Sequence, residues 1–129
     1  MIVRSLEEIK NTDRDVSGPG WKSRRLLIAS DGMGYSLTDT VILDGASLTL
    51  EYKHHFEACY CIEGEGDVTA LSDGVTHKLQ PFTVYALDQN DRHTVRATNG
   101  DMRLVCVFNP PLTGKEVHRE DGSYAPADN

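Results

Sequence analysis

The sequence predicts an all-β fold, because short candidate strands follow one another closely, turn residues separate them, and long helical periodicity appears only near the start. Nine short segments rich in apolar residues are candidate strands: residues 24–29, 35–43, 47–52, 58–62, 67–71, 76–79, 84–87, 93–97 and 102–108. The pairs Asp44-Gly45 and Asn99-Gly100 are typical of the turns that join antiparallel strands. Such spacing predicts an antiparallel sandwich or barrel.

The two ends of the chain are predicted to differ from this β region. Residues 6–10 can form one or two helical turns, with Ser5 as the N-cap. Residues 11–20 are polar, contain a Gly-Pro-Gly breaker and hold no predicted strand. After the prolines at 110 and 111, which a central strand cannot contain, the chain is polar and has no strand period. We expect a tail there, either loose or folded back over the domain.

Composition limits the possible binding partners of the protein and the cellular compartment in which we expect it. A length of 129 residues predicts one domain. Thirteen Lys and Arg against 20 Asp and Glu give a net charge of −7, which argues against nucleic acid or an anionic membrane as the main partner. The sequence shows neither a signal peptide nor an apolar run long enough to span a membrane. The three cysteines, Cys59, Cys61 and Cys106, make a poor disulfide framework, so we expect a cytoplasmic protein.

Two spaced motifs carry the first functional signal. Glu57 is followed by six residues and then Gly64, and Pro81 is followed twelve residues later by His93. These spacings resemble the two signature motifs of the cupin superfamily. The resemblance implies that residues 1–129 form a single-domain cupin barrel, an antiparallel β-sandwich or jelly roll. The sequence departs from the cupin pattern in two places. The family's His-x-His pair would fall at Leu50 and Tyr52, neither of which is histidine, so the usual three-His-plus-Glu metal site cannot form. The glycine that usually follows the proline of the second motif is also replaced, at position 82, by phenylalanine.

A narrower resemblance covers essentially the whole chain. The segments that resemble the ectoine synthase family are residues 1–4, 12–14, 52–58, 60–66, 85–88, 91–93, 106–111 and 112–124. The resemblance implies a hydro-lyase that closes the ring of N4-acetyl-L-2,4-diaminobutyrate, with loss of water, to give the compatible solute ectoine. It also implies a homodimer and an Fe(2+) ion held by Glu57, Tyr85 and His93, which would be both the metal ligands and the catalytic residues. A carboxylate, a phenolate and an imidazole suit a first-row divalent ion and leave positions open.

The resemblance also implies a substrate site. The residues that match it are Trp21, Arg25, Thr40, Tyr52, Leu87, Phe108, Glu116 and His118. An arginine can grip the substrate's α-carboxylate in bidentate fashion, but the choice between Arg24 and Arg25 stays open. The proton transfers are open as well: Tyr85 or a metal-bound hydroxide could take a proton from the amine, and Glu57 or His118 could return one.

Strand parity separates the neighbouring histidines. Adjacent strand residues point to opposite faces, so His55, which shares parity with Glu57, is the pocket candidate and His54 is expected outside. Cys59 and Cys61 share this parity too; a zinc site is conceivable, but nothing completes the ligand set, and we expect them to pack in the core.

The C-terminal residues 112–129 are expected to act as a lid. The run from Gly114 to residue 121 is too polar to be core, so we expect it to fold over the barrel mouth when substrate binds, with Gly114 as the hinge. Two alternatives to the hydro-lyase are an iron-dependent cupin oxygenase and a non-catalytic cupin that binds a small molecule. Most such oxygenases need the three histidines that are absent here, and a sensor would need a DNA-binding segment for which the chain has no room.

Overall fold

The computed structural model describes residues 1–117, which form two antiparallel β-sheets with a short helix, α1 (Leu6–Ile9), before them. The strands of this part of the chain are β1 (Asp15–Gly18), β2 (Trp21–Leu27), β3 (Ser36–Ile42), β4 (Ser47–Leu50), β5 (Phe56–Glu63), β6 (Gly66–Ala70), β7 (Thr76–Leu79), β8 (Val84–Leu87), β9 (His93–Ala97) and β10 (Met102–Asn109). The six-stranded sheet has the order β1-β2-β3-β10-β5-β8, and the four-stranded sheet has the order β4-β9-β6-β7. The all-β prediction is confirmed.

Most of the predicted elements are found where the apolar pattern and the turn residues placed them. The predicted strands at 76–79, 84–87 and 93–97 coincide with β7, β8 and β9. The helix begins after Ser5, whose Oγ accepts a hydrogen bond from the backbone N–H of Glu8 at 3.3 Å. Local turn and capping chemistry therefore sets these boundaries.

The expectation of no strand within residues 11–20 is wrong. Strand β1 occupies Asp15–Gly18 and pairs with β2, from Asp15 opposite Arg24 to Gly18 opposite Trp21. Strand β2 accordingly begins at Trp21, three residues before the predicted start at 24. An edge strand needs pairing on one side only and can remain largely polar, so hydrophobic periodicity did not reveal β1.

The core lies between the two sheets, where the inward-facing side chains of both meet. Strand β10 shows strict alternation, with Met102, Leu104, Cys106 and Phe108 buried. In the neighbouring strand β5 the buried parity includes Glu57 as well as cysteines, so a carboxylic acid faces the core. A buried acid among apolar side chains is costly, and this makes it a candidate functional group.

The Gly64→Ala substitution is expected to destabilise the fold by about 3 kcal/mol. Gly64 has φ +81°, and an added Cβ would press on the carbonyl oxygen of Asp101 and lie 2.9 Å from the Cα of Met102. The matched control is Gly74→Ala, because Gly74 has φ +72° but has no heavy atom within 4 Å of the added Cβ. The control should lose only about 1 kcal/mol, the cost of the left-handed backbone alone. Urea unfolding of both variants checks this, and equal losses would contradict it.

The first part of the C-terminal segment is docked against the barrel. The backbone N–H of Ala29 donates to the carbonyl of Leu112 at 2.7 Å, and Leu112 is completely buried. The expectation that the run from Gly114 onward is too polar to be core is wrong for Gly114 and Glu116, which are both buried. The buried side chain of Arg25 lies beside the Glu116 carboxylate and compensates for its charge. The proposed lid residue His118 lies outside the described residues.

Candidate active site

An interior cavity of about 30 Å³ opens between the sheets. Six of the residues predicted to bind substrate or metal line it: Trp21, Thr40, Tyr52, Glu57, Tyr85 and Phe108. Antiparallel pairing sets this arrangement, because Glu57 on β5 lies opposite Phe108 on β10 and opposite Leu87 on β8. The cavity thus joins one acid and two phenols to a mainly apolar wall.

Glu57 is the ionisable group most affected by this environment. Only 7% of the residue is exposed. Burial raises the pKa of the Glu57 carboxyl to about 7, and hydrogen bonds from the thiols of Cys59 and Cys106 partly oppose the shift. In the metal-free protein this group can therefore hold or release a proton near neutral pH.

Tyr85 faces the same cavity from strand β8, directly opposite Cys59. Burial, together with the neighbouring thiols and Glu57, raises the pKa of its phenol well above the usual value. Without a nearby cation the phenol is a proton donor. A bound cation would favour the phenolate instead, because an opposite charge offsets the cost of ionisation.

His93, at the start of β9, presents a free nitrogen. Its Nδ1 lies 2.9 Å from the carbonyl oxygen of Asp91, whereas its buried Nε2 has no hydrogen-bond partner among residues 1–117. Donation by Nδ1 leaves a lone pair on Nε2, the arrangement that metal-binding histidines use. Burial lowers the pKa of the imidazole, so the ring is neutral. Its centroid lies 6.3 Å from that of Tyr85 and 6.0 Å from that of Tyr52.

These donors are of the types that a divalent metal ion accepts: a carboxyl and a phenol on the cavity wall and, outside the cavity lining, an imidazole whose Nε2 has no hydrogen-bond partner among residues 1–117. Among residues 1–117, the donors Glu57, Cys59 and Cys106 form a second group, and their ligand atoms lie within 4.8 Å of one another. The expectation that Cys59 only packs in the core missed this contact with Glu57. The sequence signal was available, because Cys59 shares parity with Glu57 and Cys106 shares parity with Phe108.

The two candidate arginines point to opposite faces of β2. Arg24 donates to the carboxylate of Asp39 at 2.6 Å, away from the cavity. Arg25 has the parity of the cavity-lining Trp21, is completely buried, and donates to Ser23 Oγ at 3.2 Å and to the backbone carbonyl of Glu116. Its Nη1 also lies 3.7 Å from the Glu116 carboxylate. Arg25 therefore holds the C-terminal segment against the cavity side of β2.

Backbone contacts fix the Glu116 carboxylate. It accepts hydrogen bonds from the backbone N–H groups of Thr113 at 2.6 Å and Gly114 at 2.9 Å. Burial raises the pKa of Glu116, but these backbone hydrogen bonds outweigh burial and the net shift is downward. Glu116 is therefore a stable anion beside Arg25.

The two neighbouring histidines have the predicted burial, but they precede β5 rather than lying in a strand, and His55 does not line the cavity. His55 is buried, with its ring edge-on to Phe108 at 5.9 Å between centroids, whereas His54 is exposed. His55 therefore supports the aromatic wall of the cavity from behind Phe108. His54 offers an exposed control position next to it in sequence.

Between pH 4.5 and pH 7 the metal-free protein is expected to lose about 3 kcal/mol of stability through Glu57. The folded-state pKa, about 7, is higher than the usual value of 4.5, so the protonated carboxyl stabilises the fold below pH 4.5. This contribution is lost as the pH rises through 7. Urea unfolding of wild type and Glu57→Gln in a chelator should show the wild type losing stability relative to the variant over this window. Parallel pH profiles would contradict the prediction.

The fold is that of a cupin. A cupin-2 domain from Rhodospirillum rubrum superposes with a TM-score of 0.63 at 15% identity, covering 76% of this chain and 68% of that one. A family model described as "Ectoine synthase" matches residues 1–128. An L-ectoine synthase from Halomonas elongata is 55% identical over 99% of this chain and 94% of its own length. The crystal structure of an ectoine synthase from P. lautus gives a TM-score of 0.88 at 52% identity, covering 95% of this chain and 87% of that one.

The chain belongs to the ectoine synthase family, whose members are enzymes of the hydro-lyase class. The expectation of a cupin-type lyase is thereby confirmed. Within residues 1–117, no helix is both long and apolar enough to cross a membrane.

Proposed function

We propose that the chain is an iron-dependent, cytoplasmic L-ectoine synthase that cyclises N4-acetyl-L-2,4-diaminobutyrate with loss of water. The observation that carries this proposal is the buried wall of Glu57 and Tyr85, with the ring of His93 beside it, whose Nε2 has no hydrogen-bond partner in the described part of the chain. These three residues are the proposed ligands of Fe(2+). When bound there, the ion would act as a Lewis acid toward the substrate's amide carbonyl.

The cavity wall is proposed to fold the substrate for ring closure. The substrate's α-amine must reach the carbon of its own acetamide, and a narrow cavity supplies this proximity. Tyr52 and Phe108 meet edge to face, with centroids 5.2 Å apart, and Trp21 and Thr40 complete the wall. Leu87 supports it beside Glu57. This largely apolar enclosure also keeps out the water that would compete with the dehydration.

The charged end of the substrate is assigned to Arg25. Arg24 is excluded from this role because it faces Asp39 on the other side of β2. We propose that Arg25 shares its positive charge between Glu116 and the substrate's α-carboxylate, while Glu116, held by backbone N–H groups, attracts the substrate's amine.

The proton transfers are proposed to occur on the wall formed by Glu57 and Tyr85. The attacking amine must lose a proton, and the departing hydroxyl must gain one to leave as water. Both side chains face one cavity, so a substrate bound there would contact both. A proton taken from the amine can therefore be returned from the same wall.

The deciding experiment is to incubate the purified chain with iron(II) and N4-acetyl-L-2,4-diaminobutyrate without oxygen and to identify the product by NMR. Formation of ectoine supports the proposal. Turnover only with oxygen would favour the oxygenase alternative. Tight binding without turnover would favour a non-catalytic cupin.

A homodimer is expected at micromolar concentration. Strand β8 is an edge of the six-stranded sheet, and the outer face beside it exposes the large apolar side chains Phe56, Tyr60 and Val84. A second copy of the chain is the proposed cover, because self-association buries the same patch on both protomers. Light scattering should give twice the monomer mass, and Val84→Lys should lower it. A monomer mass for the wild type would contradict this.

A further inference from the structure

Two buried thiols stand directly beside Glu57. Cys59 on β5 and Cys106 on β10 are opposite each other in the antiparallel pair, and their Sγ atoms are 3.3 Å apart. Both line the interior cavity, and the two thiols and the carboxylate keep their ligand atoms within 4.8 Å of one another. Three donors of this kind therefore converge at the wall of one small cavity.

This donor set differs in chemical preference from the proposed iron site. Thiolates select soft or borderline ions such as zinc and cadmium, whereas the carboxylate, phenolate and imidazole set suits harder first-row ions. Two Zn–S bonds of about 2.3 Å at the tetrahedral angle hold the sulfur atoms about 3.8 Å apart. Small side-chain movements would bring the sulfur atoms to this spacing from 3.3 Å.

The third cysteine offers a natural contrast. Cys61 lies on the same strand and is equally buried, but its Sγ is directed at the carbonyl oxygens of Glu63, at 3.6 Å, and Gly64, at 3.8 Å. It does not belong to the cluster of donors around Glu57. The cluster therefore depends on the cross-strand pairing of Cys59 with Cys106, and burial of a cysteine on β5 is not sufficient to create it.

We propose that Cys59, Cys106 and Glu57 form a binding site for a thiophilic divalent cation, zinc or cadmium. On binding, two metal–sulfur bonds and one metal–oxygen bond to Glu57 form, the two S–H bonds and the O–H bond of a protonated Glu57 break, and the protons leave to the buffer; no oxidation or reduction takes place. Because Glu57 belongs to both donor sets, this cation and iron exclude each other. The exclusion rests on the proposed function, whereas the thiol site itself does not.

The test is a titration of the metal-free full-length chain with cadmium(II), followed by thiolate-to-metal charge-transfer absorbance. Wild type and the control Cys61→Ser should both show the band. Cys59→Ser and Cys106→Ser should lose it and bind cadmium more than about 100-fold more weakly. No band in the wild type, or an undiminished band in either variant, would overturn the proposal.

A second measurement needs no variant and therefore does not depend on whether a variant folds. X-ray absorption of the zinc-loaded wild type should show two sulfur neighbours at about 2.3 Å. A shell of nitrogen and oxygen alone would overturn the site. A separate measurement of iron binding distinguishes the two proposals. Loss of iron from the zinc-loaded chain supports the shared use of Glu57. A chain that binds cadmium through sulfur but never binds iron would refute only the proposed iron site.

Discussion

Replacing His93 by alanine is expected to abolish both iron binding and turnover. His93 is the donor whose Nε2 is buried and has no hydrogen-bond partner among residues 1–117, and the other ring nitrogen is already held by the carbonyl of Asp91. A site with three protein ligands should not tolerate the loss of one. Iron content after gel filtration and the rate of ectoine formation measure the two effects. His54→Ala, an exposed neighbour of the site in sequence, is the control and should retain both.

The same result is expected for Glu57→Ala and Tyr85→Ala, and thermal unfolding of the metal-free variants should show that each still folds. Full iron content in any of the three would remove that residue from the ligand set. Tyr85→Phe separates two roles, because it removes only the phenol oxygen. If this variant keeps its iron and loses turnover, Tyr85 transfers a proton and is not a ligand.

Much of this site follows from the period-2 pattern of the strands. The motif spacings singled out Glu57 and His93, which lie at the starts of β5 and β9, and the alternating pattern placed His55 inside and His54 outside although both precede β5. Parity could also have located the thiol pair, because Cys59 lies two residues from Glu57. What parity cannot give is the strand order β10-β5-β8, which brings Cys106 and Tyr85 to either side of Cys59.

The contact between Arg25 and Glu116 shows where prediction from sequence ends. The two residues are separated by 91 positions, and no local pattern relates them. A polar run is predicted to be exposed to solvent, because its own composition gives no reason for burial. In the folded protein, however, the buried side chain of Arg25 and two backbone N–H groups stabilise the carboxylate of Glu116. Glu116 is thereby buried as an anion.

The C-terminal segment is expected to have two separable functions, one of them anchoring. Deleting everything after Pro111 removes Leu112 and Glu116, so the completely buried Arg25 loses the carboxylate beside it. We expect a loss of about 3–5 kcal/mol of stability, typical of breaking a buried ion pair, and weaker iron binding as a consequence. Glu116→Gln should reproduce part of this loss in urea unfolding.

Deleting only residues 118–129 tests the proposed lid. This truncation keeps the docked residues, including Glu116, and the three proposed metal ligands, so stability and iron content should stay near those of the full chain. It removes His118, which we propose as a substrate-site residue that closes with the lid, and turnover should fall by orders of magnitude because water then reaches the reacting groups. His118→Ala in the full-length chain separates the side chain from the lid: a large loss in both variants assigns the effect to His118, whereas a loss in the truncation alone assigns it to exclusion of water. A truncated chain that forms ectoine at the full rate would contradict both roles, and would leave Arg25 and Glu116 as the structural anchor of a segment whose last part is not needed for the reaction.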